Sequence, residues 1–267
     1  MRNDTRTLFE SYKQHIAQLN GVSDAGVKFA ASPSVEQTME QHIQESSAFL
    51  RQVNSVGVDQ QSGEKVGLSL SQTIAGRTDT STNDRQPSDV SDSNARGYFC
   101  EQTNFDTALP YAKLDAWAHK PEFQTMIRDM TLRQQALDRI MIGFNGTSAA
   151  NETDRSTNTL LEDVNVGWLE KLRTEASARV MTEGSTTGEI QVGGDGDYAN
   201  LDALVYDIRS SLLEPWHARN STFMVLASSD MIDEKYFPLI EEHGGTPTES
   251  RALDLMISNK RMGGLRV

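Results

Sequence analysis

The chain has 267 residues, 37% of them hydrophobic and 7% aromatic, enough for one large domain or two small ones with a lean core. Its 25 Lys and Arg against 38 Asp and Glu leave a net charge of −13, which argues against a protein whose main task is gripping nucleic-acid phosphates. Apolar runs such as Ile140–Phe144 are too short for a transmembrane helix, no apolar stretch follows Met-Arg-Asn-Asp to form a secretory leader, and the lone Cys100 excludes an internal disulfide framework or a cysteine-based zinc site. A soluble protein of a reducing compartment, acting through surfaces, is the expectation.

Leu8, Phe9, Tyr12, Ile16 and Leu19 fall at helical spacing, with Asp4 or Thr5 as a cap and Gly21 as a stop. A second helix is expected from Ser34, where Gln37 takes the capping-box position, with Val35, Met39, Ile43, Phe49/Leu50 and Val53 on its stripe. Neither helix can form a core alone, so both read as arms that need something to pack on. Val66, Leu68 and Leu70 then alternate with small residues, as in a half-exposed strand. From Gly76 to Gly97 only Val90 and Ala95 are apolar, which predicts a mobile polar tip. Alternation returns at Tyr98/Cys100 and Phe105/Thr107/Leu109/Tyr111, the expected second strand of a long β-hairpin.

The strongest helix signal runs over 121–143, opening at Pro121. Phe123, Ile127, Met130, Leu137, Met141 and Phe144 form its expected buried stripe, interrupted by Gln134, with Arg133 expected on the opposite face. About 23 residues at ~1.5 Å rise make a rod of about 34 Å. A helix around Trp168, Leu169 and Leu172 follows, and the Gly/Thr/Asp-rich stretch Thr182–Asp197 marks the clearest internal boundary. A helix over Tyr198–Leu212 ending near Pro215, a buried strand at Phe223–Ala227, and a helix from Asp230 to Glu242 interrupted by Pro238 suggest a small α/β unit. Gly264–Val267 reads as a turn entering a strand, so the chain is expected to be part of a longer protein.

Catalytic chemistry finds no foothold. Phosphate loops and the Gly-x-Ser-x-Gly elbow are absent. Asp195 and Asp197 have calcium-loop spacing, but Ala199 stands at the next ligand position, so Asp197 is better read as capping the following helix. His15, His42, His119, His217 and His243 lie at no mutual ligand spacing. Cys100 reads as a buried small hydrophobe, and Trp117, Trp168 and Trp216 as core residues beside helical stripes. No metal or cofactor is expected, and the chain does not read as an enzyme.

This order of parts, with several local strings, resembles the major capsid proteins of Peduovirus-type tailed bacteriophages. The strings are Gln44-Glu-Ser-Ser-x-Phe-Leu50, Arg85-Gln-Pro87, Ile142-Gly-Phe-Asn-Gly146, Asp154-Arg-Ser156 and Asp163-Val-x-Val-Gly-Trp-Leu169. Further along come Glu175-Ala-x-Ala-Arg-Val-Met181, Asp197-Tyr-Ala-x-Leu-Asp-Ala-Leu-Val205, Glu214-Pro-Trp216 and Lys235-Tyr-Phe-Pro238. The resemblance implies an α+β Hong Kong 97-like capsid fold. In it, 1–60 is an N-terminal arm with a removable helix, 61–118 an E-loop hairpin, 119–195 a P-domain with the spine helix, and 196–267 part of an A-domain. The family continues past the equivalent of Val267, so the fold is expected to be incomplete at that end.

The function implied is that of a structural subunit of an icosahedral phage or prophage head, assembling with itself as pentamers and hexamers in the host cytoplasm and residing in the virion. Implied partners are a scaffolding protein and maturation protease, a portal, and double-stranded DNA that is enclosed but not read; no membrane is involved. Processing is expected within Phe29, Ala30, Ala31 and Ser32, between the first two helices. Arg77, Arg85 and Arg133 are the candidate assembly contacts. The rival reading, a soluble acidic binding protein or enzyme with an unrecognised pocket, has no motif in its favour.

Overall fold

A computed structural model describes residues 2–70, 75, 77–82, 84–85, 91–118, 120, 122–214, 217–218, 222–242 and 260–267. Gly76, Gln86, Pro87, Val90, His119, Pro121, Pro215, Trp216 and His243, all used in the sequence reading, lie outside the described residues. The chain forms two compact units, Met1–Leu169 and Glu170–Val267.

In the first unit α1 runs Asn3–Asn20 and is closed by Gly21 as expected, but it starts after Arg2, and Thr5 is a buried helical residue rather than a cap. Helix α2, Pro33–Glu45, opens one residue earlier than expected, with Pro33 in the first turn and Ser32 at the extended cap position. The expected capping box is not formed: no side chain caps this helix. Beyond Glu45 the stripe continues through a 3-10 turn, Leu50–Gln52.

Two helices follow the hairpin described below: α3, Tyr111–Trp117, and α4, Phe123–Asn145. The 23 residues of α4 match the expected rod. Its buried face matches only in part. Leu132 and Ala136 are buried against Ile43 and Leu50, with Phe49 and Ile140 packed at the margin. Ile127 is buried on another side of the helix against Leu114 of α3, with Phe9 of α1 over the pair. Met130 and Leu137 are 46% and 49% exposed. At 3.6 residues per turn, Met130, Arg133 and Leu137 share an arc of about 60°, so Arg133 lies on Leu137's face and not opposite it. Apolarity alone misplaces the stripe because Ala136 and Gly143 carry too little hydrophobicity to show, yet their smallness is what lets neighbours approach. A Cβ on Gly143 would clash with the Trp168 ring. That ring joins Phe49 and Phe144 in a cluster with centroids 5.5–5.6 Å apart. At the surface of this contact Arg139 donates to both carboxylate oxygens of Glu40 at 2.6–2.7 Å.

The hairpin pairs β1, Ser62–Leu70, antiparallel with β2, Ser91–Phe99. Its second strand therefore includes Tyr98 as expected but begins inside the stretch read as polar tip, and the connection between the two strands is 71–90. The expected strand over 105–111 is not formed: Pro110 caps α3, and Tyr111 begins that helix. Register pairs Val66, Leu68 and Leu70 with Ala95, Ser93 and Ser91. A strand this polar carries no alternation for a reader to find; backbone pairing holds it. Tyr98 pairs with Gly63, and its ring lies across the glycine, where a Cβ would come within 2.7 Å of the hydroxyl. Cys100, expected to be buried, is exposed just past the strand.

In the second unit α5, Trp168–Glu175, enters from the first. Asp197 does not cap the next helix. It accepts Ser185 and Gln191 amides at 2.6 and 2.9 Å, and these bonds, led by that of the Ser185 hydroxyl, hold its pKa at about 2. The cap of α6, Leu201–Ser211, is Asn200, which accepts from the Ala203 amide at 2.9 Å. The expected buried strand at Phe223–Ala227 is reduced to a single bridge between Met224 and Arg266, and Leu226 is exposed. Helix α7, Ser229–Glu242, runs on through Pro238 instead of breaking there. The closing hairpin pairs β3, Arg261–Met262, with β4, Leu265–Arg266, through Gly263 and Gly264 at φ +54° and +79°, a turn that needs glycine at both places. Met262 and Leu265 are buried, and the Asp202 carboxylate ties the turn down by accepting from the Gly263 amide at 2.8 Å and Lys235 Nζ at 2.7 Å.

Two stability outcomes are expected. Leu132→Ala should cost about 2–5 kcal/mol, while Leu137→Ala should change the unassembled subunit by less than about 1 kcal/mol; urea unfolding of the two variants checks the face. Burial opposes ionisation of Asp202, but Lys235 and the Gly263 amide outweigh it and lower its pKa. A lowered carboxyl stabilises the fold above its unfolded value near 3.9 and loses that contribution as pH falls through the folded value. Asp202→Asn should therefore lower the melting temperature at pH 7 and approach the parent below about pH 4. An equal deficit at both pH values would show that charge is not what matters there.

Candidate assembly surfaces

Because α4 buries one side against α2 and another against α3, a third side is left free. On it Met130, Arg133 and Leu137 are exposed, and Gln134 donates to Asp138 at 2.7 Å. Arg133 makes no ion pair with another described residue. An open cleft of about 600 Å³ borders this side, between Gln102–Thr107, the later turns of α4 around Gln135 and Met141, and the loop carrying Arg155. Its walls are mostly amides, hydroxyls and single charges, without a nucleophile–base pair. Among the described residues no cluster of His, Cys, Asp and Glu has the makings of a metal site.

The motif Asp154-Arg-Ser156 proves to be a loop clamp. Asp154 accepts from the Ser156 hydroxyl at 2.6 Å, the Thr157 hydroxyl at 2.8 Å and the Ser156 amide at 2.9 Å. The two hydroxyls, Ser156 first, bring its pKa to about 2. Buried Asp163 in turn accepts from the Asp154 amide at 2.8 Å. These carboxylates organise backbone, a role their sequence spacing to Ser and Thr makes readable in hindsight.

The other candidate residues are scattered. Phe29, Ala30, Ala31 and Ser32 lie in chain without regular structure between α1 and α2; Ala30 is exposed and the other three half-buried. Arg77 and Arg85 are both exposed in the hairpin tip. Sequence reasoning missed Asp115 of α3, which accepts the Arg2 amide at 2.8 Å; that bond, then the Thr5 hydroxyl, lowers its pKa. No motif marks it, because its partners are 110 and 113 positions away.

The comparisons with known proteins agree with one another. A family model for the phage major capsid protein, P2 family, matches residues 8–267. The chain is 44% identical over 274 residues to the capsid protein of Escherichia phage P2, covering 99% of this chain and 76% of that one. It is 41% identical over 272 residues to the major capsid protein of Serratia phage KSP20, covering 99% and 78%. A solved chain of the satellite phage P4 procapsid, a structure that includes the size determination (Sid) protein, superposes with a TM-score of 0.75 at 40% identity, covering 100% of this chain and 78% of that chain. With nearly its whole length matched, this chain belongs to the P2 family of phage major capsid proteins.

Proposed function

We propose that the chain is the shell-building subunit of an icosahedral tailed-phage head, with a Hong Kong 97-like division of labour among its parts. The observation that carries the reading is membership of a capsid family across 8–267, in a chain whose α4 leaves Met130 and Leu137 exposed. On this reading 1–60 is the N-terminal arm, 61–118 the E-loop, 119–195 the P-domain with α4 as spine, and 196–267 part of the A-domain around a capsomer centre. Pentamers and hexamers form when the hairpin of one copy lies over the exposed arc of a neighbour's α4. Arg77 and Arg85 of the tip, with Arg133 of the arc, supply positive points on an acidic protein whose like-charged copies otherwise repel. Many modest contacts of this kind add through multivalency.

The processing reading places a maturation cut within Phe29–Ser32, made by a phage protease working with a scaffolding protein. Assembly takes place in the host cytoplasm around a portal, and the finished virion encloses double-stranded DNA without reading its sequence. The alternative of an acidic enzyme or binding protein draws no support, since the family is structural.

Electron microscopy of the chain co-expressed with its scaffold is the direct test. Deleting about ten residues around 77–85 should leave the melting temperature of the subunit nearly unchanged, because little apolar surface goes with them, and should abolish or weaken shells. Arg133→Ala should likewise spare the fold and reduce shell yield. Normal shells from the deletion would remove the inter-subunit role of the tip. Mass spectrometry of mature particles should find chains beginning near residues 30–33, and an intact N-terminal peptide at full stoichiometry would sink the processing reading.

A further inference from the structure

We propose that α1 is a tethered cover over Leu114 and Ile127, kept in place by the segment 21–32, so that a cut within that segment releases it and uncovers both side chains. This deepens the processing reading and rests on it for its occasion. The maturation cut then changes what the subunit presents, not only its length.

The case begins with how little α1 holds on by. Phe9 packs on the Leu114–Ile127 pair, which are 4% and 9% exposed beneath it, and besides it only the small Ala17 is a buried apolar residue of α1, with Tyr12 half-buried near Arg128. Leu8 and Leu19 remain 39% and 55% exposed. The polar part of the contact is Asp115, which accepts the Arg2 amide at 2.8 Å and the Thr5 hydroxyl. By contrast α2 and the turn after it commit Ile43, Phe49 and Leu50 to α4 and add the Glu40–Arg139 pair. The two helices of the arm are therefore unequal, and the cut falls between them.

The tether accounts for the docking of the weaker one. Asn20 donates to the Ile16 carbonyl at 3.0 Å while its oxygen accepts the Ser32 amide at 3.1 Å, which closes the segment into a loop. Lys13 lies 3.5 Å from Asp24 within that loop. A loop this short holds its ends at an effective concentration in the millimolar range. Once it is cut, α1 is an 18-residue helix on a short free fragment that is not alanine-rich, and such a helix is marginal in water. Leaving the site and unfolding then reinforce each other.

The test uses the full chain with a site-specific protease sequence inserted between Lys28 and Phe29. After complete cleavage at micromolar concentration, size-exclusion chromatography with mass spectrometry should find the N-terminal fragment lost from about nine chains in ten. Amide exchange over 111–118 and 123–131 should rise about tenfold, while exchange over 132–145 stays as in the uncut chain. Free peptide 2–20 should restore protection only at hundreds of micromolar or above. In the uncut chain Phe9→Ala should raise exchange over 111–118 by itself. A fragment that co-elutes at full stoichiometry overturns the cover, as does a fragment that leaves without any change over 111–118. An intact N-terminus in mature particles overturns the processing reading alone, whereas a nicked chain that retains α1 overturns the cover alone.

Discussion

The seating of Ile43 and Leu50 against Leu132 and Ala136 sets the terms for the whole first unit. Ala136, 1% exposed, presents so little side chain that the backbone of α4 is brought close to its neighbours. Two turns further on Gly143 repeats the device and admits the Trp168 ring, which Phe49 and Phe144 complete into a cluster. A helix can give its closest approach to only one partner at each level. Once α2 takes the small-residue face and α3 with α1 takes the side of Ile127, Met130 and Leu137 are left outside. The exposed apolar arc is thus a consequence of the core, produced by the same residues that stabilise the subunit.

A lean core also explains where many of the carboxylates go. Asp154 and Asp197 are each surrounded by amide and hydroxyl donors from their own loops, and Asp202 ties the last turn to α7 through Lys235. Such bonds to an ionised oxygen are stronger than neutral ones and fix irregular backbone that too few apolar residues are present to pin. Part of the charge of −13 is accordingly spent inside loops as acceptors. On the proposed reading the remainder makes single copies repel one another, and exposed arginines such as Arg77, Arg85 and Arg133 supply the attraction between them.

How legible all this was depended on whether the information was local. Helical periods gave α1, α4 and α6 to within a few residues, and Gly21 stopped α1 where expected. The face of α4 was misread because the period finder weighs Leu137 and Met130 heavily and Ala136 not at all, whereas packing weighs room. Strand β2 was legible only at its Tyr98 end; the rest is built mostly of Ser, Asp, Asn and Arg, whose pairing comes from backbone groups opposite β1. Asp115 and the Glu40–Arg139 pair join residues about a hundred positions apart, a distance at which no motif operates. The functional reading came from strings of residues in order; the structure then gave several of those strings physical roles, as with Asp154-Arg-Ser156 and the Phe49, Phe144 and Trp168 rings.

The register of the hairpin gives Val66, Leu68 and Leu70 only alanine and serine as partners, so pairing alone cannot bury that face. Two-stranded ribbons are marginal in water even with better partners, and an apolar strand face left open invites association. A subunit that meets other copies can gain from such a ribbon, because a neighbour can supply the apolar partners that the register withholds. On the proposed reading the hairpin and the exposed arc of α4 belong to different parts of one chain, so a contact between them is head-to-tail and can close into rings. That geometry is what a shell built from a single kind of subunit requires.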